Sequence, residues 1–288
     1  MYIIFDTETT GLPKRYNAPI SDVDNWPRAV QIAWQVHNKW GELVDHQDFL
    51  IQPEGFDIPF DSEKIHGIST ALAQKEGQPL SEVLKVFNKA LNEAKFIVGQ
   101  NVDFDINIMG AEFYRSQVES PLTNMPVLDT CTEQTAKLCQ IPGGRGGGFK
   151  LPTLTELHEF LFGEPFKEAH NATADVEATT RCFLELLRKA HYTEDELKAE
   201  PGYITEFQSK NLEPFGLIGI KHTNLKKASK ALADQHQPDQ TKKPTQQELN
   251  QNLEHLSEET FVHLHNHSQF SILQSTLSVQ DLIEVASK

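Results

Sequence analysis

Cysteine is scarce in this chain. Cys131, Cys139 and Cys182 are the only three in 288 residues. Their number is odd and no pair has a C-x-x-C spacing, so they read as reduced thiols of a cytoplasmic protein. No run of about 18 apolar residues occurs, so no membrane span is expected. The N-terminus lacks a basic stretch leading into an apolar one, so no secretory signal is expected. Basic residues are outnumbered: 26 Lys and Arg face 41 Asp and Glu, for a formal net charge of −15. That argues against a protein that coats nucleic acid, which would be basic. It leaves open an enzyme that holds nucleic acid through metal ions and a few local cations. No internal repeat is visible. Gly143 to Gly148 is glycine-rich, but Phe149 stands where a P-loop needs its lysine.

What is present starts at once. Tyr2-Ile3-Ile4-Phe5 reads as a short, fully buried strand. Asp6 and Glu8 follow, and residues two apart on a strand face the same side. Two carboxylates that close repel, and their pKa values rise unless something neutralises them. Hard oxygen ligands suit Mg2+ or Mn2+. Thr9, Thr10 and Gly11 end the strand, and glycine lets a backbone approach a ligand closely. The bland reading of a D-x-E is a strand end with two solvated acids; the buried run before it and T-T-G-L after it make this one more specific.

With 288 residues and 38% hydrophobic content, the chain can form one domain with a sizeable core and part of a second. Val30 to Val36 and Val44 to Ile51 read as two more strands of a meander. Asp61 to Ser69 is a short helical turn closed by Gly67. Ser81 is expected to cap an amphipathic helix. Phe96 to Gly99 is a fourth strand, followed by a helix from Ile106 to Val118. Val127 to Asp129 is a fifth, with Thr130 or Thr132 capping the next helix. Thr153 to Phe162 is a helix, and His170 to Asp175 leads into a long helix that runs to about Lys189. Three early strands followed by alternating helices and strands imply an α/β fold, a mixed sheet with helices on both sides. From His222 to Thr260 the composition turns rich in Gln, Lys, Asn and Glu, which reads as a linker. Phe261 to Ser268 then looks like the opening strand of a new domain.

Four acids stand at junctions between apolar segments and turns: Asp6, Glu8, Asp105 and Asp175. His170 lies five residues before Asp175. Asp103 is a nearby alternative to Asp105. A lone H-x-A-x-x-D is ordinarily a coincidence of a helix start. The set D-x-E-T-T-G-L, then Asn101-x-x-Phe104-Asp105, then His170-x-x-x-x-Asp175, in this order, is not.

The set resembles the DEDD 3′–5′ exonucleases with a catalytic histidine, and within them the epsilon-like proofreading domains of bacterial replicative DNA polymerases. The likeness covers roughly residues 1–189. It implies a ribonuclease H-like fold, two divalent cations held by Asp6, Glu8, Asp105 and Asp175, and His170 as general base. It also implies that Thr7, Thr9, Thr10, Gly11 and Leu12 cup the terminal nucleotide, with Leu12 wedged against its base. Asn101 and Phe104 belong to the same substrate-binding set, as does His66, for which the other reading is a surface histidine at a helix end. The second motif often carries a histidine where Gln100 stands here; that position is not a ligand. Two metal ions about 3.5–4 Å apart suit phosphodiester hydrolysis, because they activate the attacking water and stabilise the leaving oxygen.

Phe261-Val262-His263-Leu264-His265-Asn266-His267-Ser268 resembles the start of the polymerase-and-histidinol-phosphatase (PHP) domain of polymerase III alpha subunits, and H-x-H on a strand is a good metal half-site. The expected division is 1–195 exonuclease, 196–221 extension, 222–260 linker and 261–288 an incomplete PHP start. The implied partners are a single-stranded or mismatched DNA 3′ end, the rest of a polymerase chain and the sliding clamp. Two rival readings stand beside this one: a repair or RNA exonuclease of the same fold, and an idle module that tethers a polymerase.

Overall fold

A computed structural model describes residues 1–166 and 171–235. His170, most of the expected linker and the PHP-like segment lie outside the described residues. The elements run β1 (Tyr2–Thr9), β2 (Ala29–His37), β3 (Leu43–Leu50), α1 (Phe60–His66), α2 (Thr70–Glu76), α3 (Leu80–Glu93), β4 (Phe96–Gly99) and α4 (Asp103–Arg115). They continue with β5 (Val127–Asp129), α5 (Glu133–Cys139), α6 (Leu154–Phe162), α7 (Ala172–Arg188), α8 (Tyr203–Lys210) and α9 (Leu225–Gln235).

The sheet order is β3-β2-β1-β4-β5. The first three strands are antiparallel, and β4 and β5 run parallel to β1. β1 is therefore the strand where the pairing changes from antiparallel to parallel. β4 is short: it pairs Tyr2, Ile3 and Ile4 and stops. From Phe5 onward one side of β1 is released from the sheet. The released side lies beyond the carboxyl ends of the parallel strands, the usual place for a site in such sheets.

The two faces of β1 enter different cores. Ile3 and Phe5 pack with Val83, Leu84 and Phe87 of α3 and with Ile108 and Met109 of α4. Tyr2 and Ile4 pack with Leu157 of α6, with Phe183, Leu186 and Leu187 of α7, and with Phe207 of α8. The mixed sheet thus carries helices on both sides, as expected. The period of two puts Asp6 and Glu8 on the face that looks at α7.

Several boundaries differ from the sequence reading. Ser81 does not cap α3; Pro79 holds the cap position and the helix begins at Leu80. α4 begins at Asp103, not Ile106, so Asp105 lies inside its first turn. Thr132 rather than Thr130 caps α5, with a reciprocal bond to Thr135. The seven-residue α2, capped by Ser69, was not expected. The larger correction is at the C-terminal side. Tyr203 and Phe207 lie in the same core as Tyr2, and the two tyrosine hydroxyls meet at 3.0 Å. The core therefore runs past residue 195. The first part of the expected linker is α9, whose Leu225 and Leu232 are buried with Val30, Ile58, Ile68 and Leu72. Spaced seven residues apart, these leucines lie on one helical face and suffice to dock it.

Candidate active site

Asp6 and Glu8 come from β1, and Asp175 comes from the start of α7. One carboxylate oxygen of each lies within 4.8 Å of the other two. α7 is placed there by its cap: the Asn171 side chain accepts from the N–H groups of Thr173 and Ala174, and Val176 and Phe183 bury the helix against the sheet. Asp105 reaches the same end of β1 from the opposite layer. Its Oδ1 accepts from the Thr7 amide at 2.9 Å and from the Thr7 hydroxyl at 2.6 Å. The strand alternation thus does two jobs: Asp6 and Glu8 face α7, and Thr7 between them anchors the fourth acid.

The electrostatics follow from burial. Glu8 and Asp105 are buried. Burial, then the charges of Asp175 and Asp105, push Glu8 up to about 8. Burial raises Asp105 to about 7, against the pull of the Thr7 hydrogen bonds. Asp6 is driven well above the ordinary carboxyl range by burial and by Asp105, Asp175 and Glu8. Three carboxylates that resist ionisation, crowded beside a fourth at Asp175, are an arrangement in want of positive charge. An all-oxygen, all-carboxylate donor set suits a hard divalent cation. The residues present therefore fit divalent metal binding.

A pH signature follows. The folded protein holds protons at Glu8 and Asp105 that the unfolded chain has released. Stability without metal should therefore fall as pH rises from the ordinary value of 4.5 to about 8. A cation replaces those protons, so stabilisation by Mg2+ or Mn2+ should grow across the same window. Thermal denaturation from pH 5 to 9, in EDTA and in metal, checks this. A metal effect of equal size at both ends would mean that these carboxylates are not the ligands.

The loop after β1 is held by its own polar groups. The Thr9 hydroxyl donates to the Gly11 carbonyl at 2.7 Å. The Thr10 hydroxyl accepts from the Arg28 amide at 2.9 Å, and the Arg28 side chain is tied to the buried Glu112. Thr7, Thr9 and Thr10 thus shape the site from within, while Leu12 stands 74% exposed beside it. Gly11 has φ of 147°, which explains the glycine. His66 is buried, so it is not a surface histidine. Its Nδ1 accepts from the Ile68 amide at 3.0 Å.

Asn101 and Phe104 lie at the turn into α4 that carries Asp105. Asn101 sits in the left-handed region at φ 58° and its amide donates to Asp129. Phe104 packs in part against the core. Gln100 is a strut: it accepts from Thr130 and donates to the Pro152 carbonyl. The sequence reading missed Asp129. Its carboxylate accepts from the amides of Asn101, Val102 and Cys131 and so fixes the turn that delivers Asp105. An Asp at a strand end gives little sign of this in the sequence.

Residues 3–183 match the family model RNase_T, described as exonuclease. Among curated proteins, a DNA polymerase III PolC-type of Latilactobacillus sakei is 29% identical over 196 residues, covering 66% of this chain and 11% of that protein. The PolC-type enzyme of Streptococcus thermophilus is 32% identical over 180 residues, covering 62% of this chain and 11% of its own length. The chain thus spans about a tenth of these relatives. Among solved structures, E. coli Exonuclease I in complex with a dA16 oligonucleotide aligns with a TM-score of 0.51 at 18% identity, over 71% of this chain and 42% of that one. The same enzyme with a dT13 oligonucleotide gives 0.53 at 19%, over 68% and 45%. At these identities the likeness speaks for the fold. The matched family model spans β1 to α7, the elements that supply all four acids, and the chain belongs to the exonuclease family.

Proposed function

We propose that this domain is a 3′–5′ exodeoxyribonuclease that releases nucleoside monophosphates from single-stranded or mismatched 3′ ends. Two divalent cations, Mg2+ or Mn2+, would be held by Asp6, Glu8, Asp105 and Asp175. The observation that carries this reading is the convergence of Asp6, Glu8 and Asp175 within 4.8 Å, with Asp105 hydrogen-bonded to the residue between the first two. When bound, the ions supply an activated water and stabilisation of the leaving 3′-oxygen. The chain's own groups do the rest. β1 and α7 fix the ligands before substrate arrives, so little reorganisation is needed. Leu12 offers an exposed apolar surface to the terminal base. His170 takes the proton of the attacking water on a ring nitrogen, as its unperturbed pKa near 6.5 allows.

The PolC-type relatives and the H-x-H segment at 263–265 support placing the domain in a replicative DNA polymerase III, where its task would be proofreading. A mismatched terminus unpairs at lower cost, which itself favours removal of errors. The test uses one labelled strand presented as single strand, paired primer and mismatched primer. Degradation should start at the 3′ end and run faster on the first and third than on the second. A 3′-phosphate end should be a poor substrate. Attack from the 5′ end, or a large preference for RNA, would overturn the reading.

A further inference from the structure

Gln31 is a polar side chain where the fold offers no solvent. It lies on the interior strand β2 and is 1% exposed. Its cross-strand partner on β1 is Glu8, and paired residues of neighbouring strands put their side chains on the same face. Gln31 and Glu8 therefore look at α7 together. Ala33, the next β2 residue on that face, packs in the core that α7 closes. Burying an amide side chain is costly unless its polar ends are paired. Both ends of Gln31 are. Its Nε2 donates to Asp48 Oδ1 on the edge strand β3 at 2.8 Å. Its Oε1 accepts from the Ala172 amide, the first of α7, at 3.4 Å. The first amides of a helix have no partner within it. In α7 the Asn171 side chain serves Thr173 and Ala174, and the Asn171 carbonyl takes the Asp175 amide at 2.9 Å. The Ala172 amide remains, and Gln31 supplies its acceptor from 141 residues away. The two caps differ in what they fix. Asn171 shapes the helix start from within its own segment, wherever the helix lies. Gln31 ties that start to the strand pair that carries Glu8. Asp175 follows Ala172 within one helical turn, and its carboxylate lies within 4.8 Å of that of Glu8.

Resting on the exonuclease reading above, we infer that Gln31 is a positioning residue of the metal site: it holds the start of α7 against the β1–β2 pair and so sets Asp175 against Glu8, with Asp48 anchoring it from the other side. It acts through Asp175 and is not itself a ligand. The chemistry asks for such a tie. Carboxylates brought together repel, so the segments that carry them must be held by other groups before a cation arrives. A glutamine suits both of its partners, since its donor end meets a carboxylate and its acceptor end meets a helix amide. It does so without adding another charge beside the acids. Residues that orient metal ligands from behind are worth about tenfold to hundredfold in metal affinity or activity.

The test uses the 288-residue chain, its Gln31→Leu variant and the double variant Gln31→Glu with Asp48→Asn. Mn2+ binding is measured by calorimetry, degradation of a fluorescein-labelled dT oligonucleotide at fixed Mg2+, and thermal denaturation in EDTA. Gln31→Leu keeps the bulk and loses both hydrogen bonds. It should weaken Mn2+ binding and lower kcat by about tenfold to hundredfold, with KM for the oligonucleotide near wild type. The double variant keeps an acceptor for the Ala172 amide and restores a donor–acceptor pair between positions 31 and 48, so Mn2+ affinity and kcat should return towards wild type. A residue that only fills space would lower the melting temperature in Gln31→Leu and leave Mn2+ affinity and kcat, assayed well below that temperature, unmoved. That result overturns the inference, as does a double variant as impaired as Gln31→Leu. Should Gln31→Leu not fold, Asp48→Ala changes an exposed side chain and releases the Gln31 amide from its anchor. It should shift Mn2+ affinity and kcat in the same direction by less, and wild-type values of both overturn the inference. A wild-type chain that binds Mn2+ but degrades no single-stranded 3′ end overturns the exonuclease reading instead, while the Mn2+ titrations still decide the role of Gln31.

Discussion

Asp6→Ala and Asp175→Ala are each expected to abolish nuclease activity and to weaken divalent-metal binding. Each removes one of the three carboxylates whose oxygens converge within 4.8 Å. The two come from different elements, β1 and α7, so neither loss can be repaired by a neighbour on the same strand or helix. Metal ions contribute several kcal/mol to the stabilisation of transition-state charge, and each 1.36 kcal/mol is tenfold in rate. The loss should therefore reach about 10³-fold or more. Folding should respond in the opposite sense. Asp6 is a repelled, half-buried acid whose pKa is driven up by burial and by three other carboxylates, so removing it relieves strain in the metal-free protein. Asp6→Asn should then be as stable as wild type in EDTA, or more so, and less stabilised by added metal. Calorimetric metal titration, a degradation assay on a labelled single strand and thermal denaturation in EDTA decide together. Wild-type activity in either alanine variant would remove that residue from the ligand set.

The part of this site that lies on one stretch of chain is legible in the sequence. Four apolar residues followed by D-x-E dictate a buried strand with two acids on one face, and the structure has both. Asp105 and Asp175 are legible as acids at the starts of helices, because a helix start is marked by local signals such as the Asn171 cap. What brings them together is not local. The bonds from Thr7 to Asp105 span 98 residues, and nothing in the sequence around either residue announces them. Asp129 is silent for the same reason: two of its three amide partners, Asn101 and Val102, come within reach only once β4 and β5 lie side by side. α2 is seven residues long, too short for a 3.6-residue period to show. α9 was hidden by composition. Lys, Gln and Ala dominate its surroundings, and its apolar face consists of Leu225, Ala228 and Leu232. Such a stripe docks only where a complementary surface exists, and the surface formed by Ile58, Ile68 and Leu72 is itself a tertiary product.

His170→Ala is expected to lower the rate by on the order of 10²- to 10⁴-fold, the usual contribution of a general base, while divalent-metal binding survives. His170 lies outside the described residues, and its role rests on its place in the chain. It immediately precedes Asn171, whose side chain caps α7, and α7 carries Asp175, one of the proposed ligands. The expected pattern differs from that of the acids in two ways. Metal affinity by calorimetry should stay near wild type, because no carboxylate has been removed. The pH–rate profile should lose the limb that reports an imidazole near its unperturbed value of about 6.5. The acids also titrate in the metal-free site, with Asp105 at about 7, so the profile must be recorded at saturating metal, where they are held ionised. Under those conditions a remaining limb near 6.5 in His170→Ala assigns the proton transfer to another group. Loss of metal binding in the same variant would place His170 among the ligands instead. Retained metal binding, a slow rate and a flattened profile together identify it as the base.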